Sequence, residues 1–110
     1  MSYTVEVILD FDIEGYHCYP SAPRAVDFLS HKHRHLFRIK CGLGVTHNDR
    51  DKEIFIEQDK IKTFLNDKYG RPCNFNTKSC EMIAEEILEK FNCKWVEVLE
   101  DGRGGAKVCK

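Results

Sequence analysis

The sequence predicts an α+β domain in which an antiparallel four-stranded sheet is covered by two helices on one face. Apolar and polar residues alternate along two long segments in the first half of the chain, as they do in strands with one buried face. Apolar residues then recur at spacings of three and four, and two short apolar segments separated by glycines follow. This order, two strands, two helices and two strands, is typical of a sheet with helices packed on one side.

The first strand is predicted over residues 4–17. Successive side chains of a strand point to opposite faces, so alternate residues share a face. The core-facing row comprises Val5, Val7, Leu9, Phe11, Ile13, Gly15 and His17. An imidazole therefore lies at the end of this row, beside a glycine. The next residues, 18–30, contain two prolines and predict a loop, with room for one helical turn over residues 24–29.

Three imidazoles at alternate positions introduce the second strand, which is predicted over residues 33–46. His31, His33 and His35 share one face. The same face continues with the mainly apolar residues Phe37, Ile39, Cys41, Leu43 and Val45. Apolar surroundings desolvate an imidazole, keep it neutral and leave a ring nitrogen free to bind a metal.

The first helix is predicted from Gln58 to Tyr69, because apolar residues recur there at helical spacing and Gly70 follows. A polar turn over residues 47–52 and a short extended segment over residues 53–56 are predicted to precede it. Residues 71–78, which include a proline, predict a loop after it.

The second helix is predicted to start after Ser79, a favourable N-cap, and to run to Asn92. Its predicted buried stripe comprises Ile83, Ala84, Ile87, Leu88 and Phe91. A third strand is predicted over residues 94–100, and a glycine-rich turn over residues 102–105 leads to a fourth strand over residues 106–109.

Length and composition indicate one globular domain over residues 1–110. Apolar residues make up 42% of the chain and charged residues 32%, and the net charge is −1. Scattered lysines and arginines give no basic patch for nucleic acid. The sequence has neither a long apolar run nor a signal segment, so a cytoplasmic protein without a membrane partner is expected. The six cysteines are then expected to be free thiols.

The histidines suggest a zinc site built across two neighbouring strands. His17, together with His33 and His35, would present three imidazoles and leave a fourth position open, as in catalytic zinc sites. His31 belongs to the same row, so spacing alone does not decide which two of the three alternating histidines take part. Histidines that only pack within a structural oligomer are the simpler alternative.

Four short motifs occur in a distinctive order. Ile13–His17 has an apolar, a small and a histidine residue at alternate positions, and His33–Phe37 has a His-x-His followed by an aromatic residue. Ser79–Ala84 provides a polar helix start, and Val98–Glu100 leads into a glycine-rich turn. On these motifs, residues 11–109 resemble the tunnelling-fold (T-fold) family of 6-pyruvoyltetrahydropterin synthase and 6-carboxytetrahydropterin synthase.

The resemblance implies a ligand set and an assembly. It implies that His17, His33 and His35 bind Zn²⁺, and that Glu100 anchors a pterin or purine-like ring. A carboxylate suits this task because it accepts two parallel N–H bonds from a guanidine-like edge. Backbone near Ser79 and Cys80 would complete the rim. The family also implies a homo-oligomer, a trimer or a hexamer, in which sheets close into a barrel and sites lie between subunits.

The chain departs from the family at the catalytic base. Leu29 stands four residues before His33, where the family has a cysteine, and no Asp-His pair lies between the helices. Cys18, His31 or a group not identified from the sequence would have to move protons instead. Two functions are therefore expected as alternatives: a zinc-dependent synthase of the pterin type, or a catalytically inactive protein that binds or sequesters a purine, pterin or nucleotide.

Overall fold

Two long antiparallel strands form the centre of the fold in the computed structural model, which describes residues 3–110. A five-stranded mixed sheet and three helices make up this α+β structure. The strands are β1 (Glu6–His17), β2 (His33–Gly44), β3 (Cys73–Asn74), β4 (Trp95–Glu100) and β5 (Gly104–Cys109). The helices are α1 (Ile54–Tyr69), α2 (Cys80–Phe91) and a 3₁₀ helix (Arg24–Ser30). The strands lie in the order β3-β1-β2-β4-β5.

The pairing of β1 with β2 follows the predicted alternation. Ile13 lies opposite Phe37, and His17 lies opposite His33. Every second residue of both strands is buried through the centre of the sheet, whereas the other face is mostly exposed. On that exposed face Arg38 donates hydrogen bonds to both carboxylate oxygens of Asp10, at 2.9 and 2.8 Å. One face of the β1–β2 pair therefore supplies residues to the core, and the other faces solvent.

Helices α1 and α2 each bury one set of apolar side chains against the buried face of this pair. Ile61 and Leu65 of α1 and Ile83 and Ile87 of α2 are almost fully buried and belong to the same core as the strands. Phe91, predicted to be buried, is only half-buried and packs at the edge of the core. None of the helices within residues 3–110 is long and apolar enough to cross a membrane.

Helix α1 begins four residues earlier than predicted. The carboxylate of Glu53 accepts hydrogen bonds from the backbone N–H groups of Phe55 and Ile56 and so caps the first turn. The predicted extended segment over residues 53–56 was therefore wrong. The run of Ile54, Phe55 and Ile56 suggested a strand, but these side chains are exposed on the first helical turn, Phe55 to 78%.

The sheet differs from the predicted four antiparallel strands at both edges. Residues 73–74, predicted as loop, form β3 and pair parallel to Gly15 and Tyr16 of β1. Strand β5 begins at Gly104, two residues before its predicted start. Gly105 lies so close to β4 that a Cβ atom there would be 1.8 Å from the carbonyl oxygen of Val98. Glycine therefore extends the strand pairing where a turn was predicted.

Candidate metal centre

Three imidazoles and one carboxylate converge at one end of the sheet. His17, His33, His35 and Glu100 each place a potential ligand atom within 4.8 Å of those of the other three. The ring centroids of the histidines lie 4.5 to 5.4 Å apart. This separation is small enough for one ion to contact all four side chains.

Three adjacent strands bring these residues together. His17 is the last residue of β1, and the register places it opposite His33, with Gly15 opposite His35. Glu100 is the last residue of β4 and pairs with Phe37 of β2, two residues from His35. The four side chains thus lie on the core-facing side of β1, β2 and β4, directly beyond the last apolar residues of that side.

Each imidazole is oriented by an oxygen that faces its Nδ1 atom. Nδ1 of His17 lies 2.8 Å from the carbonyl oxygen of Lys78, and Nδ1 of His33 lies 2.9 Å from that of His31. Nδ1 of His35 lies 2.7 Å from Oδ2 of Asp101. Carbonyl and carboxylate oxygens only accept hydrogen bonds, so each Nδ1 carries a hydrogen and a neutral ring keeps its lone pair on Nε2.

The free nitrogens face the cluster without a hydrogen-bond partner. Within residues 3–110, Nε2 of His17 and Nε2 of His35 are buried and unpaired. A buried polar atom left without a partner is unfavourable, and each such case in a native structure needs an explanation. Neutral imidazole nitrogens with Nδ1–H held by an oxygen are the usual zinc ligands. The donor set therefore fits Zn²⁺.

Asp101 supports the site through His35, a role that the sequence reasoning missed. Its Oδ1 accepts a hydrogen bond from the backbone N–H of Leu36 at 2.9 Å, while Oδ2 faces His35. The hydrogen bond from His35, and then that from Leu36, holds the pKa of Asp101 below its usual value. An aspartate directly after Glu100 at a glycine turn was the only available signal, and turn aspartates are common.

An apolar floor lies beneath the imidazoles. The Phe37 ring is edge-on to His17 and His35, with centroids 5.2 and 5.5 Å away, and also packs on Phe75. Gly15 makes room for this packing, because a Cβ atom there would lie 2.8 Å from the Phe75 ring. The Phe37 and Phe75 rings keep water from the side of the histidine cluster that faces the core, and this strengthens electrostatic interactions among the clustered side chains.

The start of α2 borders the cluster. Ser79 is the N-cap, and its hydroxyl accepts a hydrogen bond from the N–H of Met82 at 3.2 Å. Cys80 is buried and its Sγ lies 3.6 Å from Oε1 of Glu100. Burial, followed by the negative charge of Glu100, raises the pKa of the Cys80 thiol to about 12. Cys80 therefore contacts Glu100 as a neutral thiol.

The remaining candidates lie outside the cluster. His31 is exposed, and it contributes only its backbone carbonyl oxygen to His33. Cys18 is half-buried, and its backbone N–H donates to the carbonyl oxygen of Asn76 at 2.8 Å. Leu29 lies near the end of β1, since its carbonyl oxygen accepts a hydrogen bond from the N–H of Tyr19. Of the alternating histidines, the structure thus brings His33 and His35, but not His31, to His17.

Comparison with models of known protein families gave no match for this chain. Comparison with curated proteins gave none either.

Proposed function

We propose that this protein is a zinc-dependent T-fold protein similar to 6-pyruvoyltetrahydropterin synthase and 6-carboxytetrahydropterin synthase, and that it acts on a pterin or purine-type substrate. One observation carries the proposal. Three histidines from two strands each bring a ring nitrogen within 4.8 Å of the other potential ligand atoms, and every Nδ1 atom faces an oxygen. Histidines that merely pack also find hydrogen-bond acceptors, but they have no reason to leave two buried Nε2 atoms unpaired in one cluster.

His17, His33 and His35 would hold the ion. Zinc at such a site supplies Lewis-acid polarisation of a substrate carbonyl or hydroxyl group. Glu100 would hold the ring, because both its oxygens can accept N–H bonds from a guanidine-like edge. The N-terminal turn of α2, at Ser79 and Cys80, borders Glu100 and would form the rim around the ring.

Proton transfer is the least complete part of this site. Leu29 offers only carbon where the family has its cysteine, and a general base contributes about 10²–10⁴ in rate. Cys18 and His31 are the nearest candidates in sequence, and each would have to reach substrate from outside the four-residue cluster. This gap specifically favours the second candidate function, a T-fold binding protein that retains a ring and metal site without turnover.

The proposal includes a homo-oligomer, a trimer or a hexamer. Strand β5 is the last strand of the sheet in the described chain, and most of its residues are exposed. An unpaired edge of this kind is a favourable place for a second copy to continue the sheet. Light scattering combined with size-exclusion chromatography measures the mass directly.

The two functions are separated by one incubation. Zinc-loaded protein is mixed with dihydroneopterin triphosphate, and released triphosphate and new pterin products are measured by chromatography, with His33→Ala as the matched control. A synthase releases triphosphate and the variant does not. Binding without release supports the binding protein. If neither binding nor release occurs, the assignment to pterins is wrong.

A further inference from the structure

The Glu100 carboxylate lies close to the Nε2 atoms of two of the three clustered histidines. Its Oε1 is 3.1 Å from Nε2 of His17, and its Oε2 is 3.4 Å from Nε2 of His35. Neither nitrogen forms a hydrogen bond within residues 3–110. With each Nδ1 facing an acceptor, a neutral ring turns its Nε2 lone pair toward the negative carboxylate. For neutral rings this arrangement is unfavourable unless a cation lies between these atoms, whereas protonated rings would form ion pairs with Glu100 at the same distances.

Two of the distances in the cluster are close to the edge length of a zinc coordination polyhedron. Zinc binds nitrogen and carboxylate oxygen at about 2.0–2.2 Å in tetrahedral sites, so the ligand atoms are separated by about 3.3–3.6 Å. The two distances from Glu100 lie at or near this range.

We infer that Glu100 is a fourth metal ligand when no ring is bound, and that it closes the position that substrate would otherwise occupy. This inference rests on the proposed zinc site. Both carboxylate oxygens face the imidazoles, and the same oxygens would be needed for two parallel N–H bonds to a ring. Ligation and ring anchoring therefore compete for the same oxygens, and ring binding is expected to open the fourth position.

The Glu100 side chain has room to change between these tasks. It is 34% exposed, whereas the His17 side chain beside it is 8% exposed. Its only other described contact is the weak one with the Cys80 thiol at 3.6 Å. A partly exposed carboxylate at the end of a strand can leave the ion without disturbing the core, because the three histidines remain in place.

Metal binding alone tests this inference. Affinity for Zn²⁺ is measured by chelator competition, and the visible absorption of Co²⁺-loaded protein reports the coordination. Wild type is compared with Glu100→Gln and Glu100→Asp. Glu97→Gln is the matched control, since it removes the same charge from the same strand but from the opposite face.

A ligand role predicts that Glu100→Gln weakens Zn²⁺ binding by at least about tenfold, with a changed Co²⁺ spectrum, while Glu97→Gln does neither. Glu100→Asp keeps the charge but shortens the reach, so it is expected to behave like Glu100→Gln; wild-type affinity in Glu100→Asp contradicts ligation. Thermal unfolding of the metal-free proteins checks that the variants fold.

The outcomes also separate the two proposals. Equal Zn²⁺ affinities and identical Co²⁺ spectra in all four proteins overturn the role of Glu100 but leave the three-histidine site standing. If wild type binds no stoichiometric Zn²⁺, both the inference and the zinc-dependent function fail.

Discussion

The middle and one end of the core-facing surface of β1 and β2 carry different types of side chain. In the middle, Leu9, Phe11 and Ile39 are buried against carbon from both helices. At the end, the same alternation presents His17, His33 and His35, whose rings pack on one another, and the rings of His17 and His35 also lie edge-on to Phe37. Both regions have the same strand backbone. Strand periodicity therefore decides which face of the sheet a side chain lies on, and residue type decides whether it packs in the core or belongs to the candidate metal site.

This comparison teaches where stability and function reside. The apolar side chains in the middle have no polar atom that needs a partner, so they contribute to folding stability through burial. The end rows contain buried nitrogens that the described chain does not satisfy, which costs stability unless a ligand compensates. Changes in the middle are therefore expected to affect unfolding, and changes at the end to affect binding.

The largest expected effect on stability comes from shortening a buried side chain in the middle of the core-facing surface. Ile39→Ala removes a fully buried side chain and should lower the free energy of unfolding by about 2–5 kcal/mol. Ile8→Ala, the same change on the exposed face of the neighbouring strand, should change it by less than about 0.5 kcal/mol. Urea unfolding of the metal-free proteins measures both. Similar losses for the two variants would contradict the division into a buried and an exposed face.

The Asp101→Asn variant tests the histidine end of the surface, where Asp101 orients His35. The amide can still accept from Leu36 through its oxygen but presents N–H groups to His35, which favours the tautomer with its hydrogen on Nε2. Zinc affinity should fall about 10–100-fold, with metal-free stability little changed.

Asp51→Asn is the matched control for this change, because Asp51 also accepts hydrogen bonds from a nearby backbone N–H and side chain, those of Thr46. Chelator competition measures the zinc affinity of both variants. An unchanged affinity in Asp101→Asn would mean that His35 does not depend on this carboxylate.

A smaller effect is expected where α2 meets the site. Ser79→Ala removes the cap on Met82 and should lower the free energy of unfolding by about 1 kcal/mol. Ser21→Ala, in an exposed loop position, should have almost no effect. Thermal or urea unfolding distinguishes the two. If Ser79→Ala were as stable as wild type, the cap would not help to hold the start of α2 beside His17.

Much of the fold could be predicted because alternation is a strong local signal. Both long strands, the Ser79 cap and the buried stripe of α2 except Phe91 are confirmed. The start of α1 could not be predicted, since a glutamate cap turned an apolar run into exposed helix. Strand β3 has two residues and depends on a partner 58 positions away in the chain, so local sequence carries no sign of it.

The site was predictable only in part. Spacing identified a row of three histidines but could not choose among them, because the choice depends on the register between β1 and β2. The Nδ1 partners come from a loop carbonyl, a neighbouring backbone carbonyl and a turn aspartate, none of which has a sequence signature. Pterin chemistry, zinc identity and oligomeric state remain predictions.

The zinc content of the purified protein tests the central claim most directly. After dialysis against Zn²⁺ and removal of free metal, elemental analysis should give close to one zinc per wild-type chain and much less than one for His33→Ala. Less than a few tenths of a zinc per chain in wild type, unchanged by His33→Ala, would contradict a metal centre formed by His17, His33 and His35.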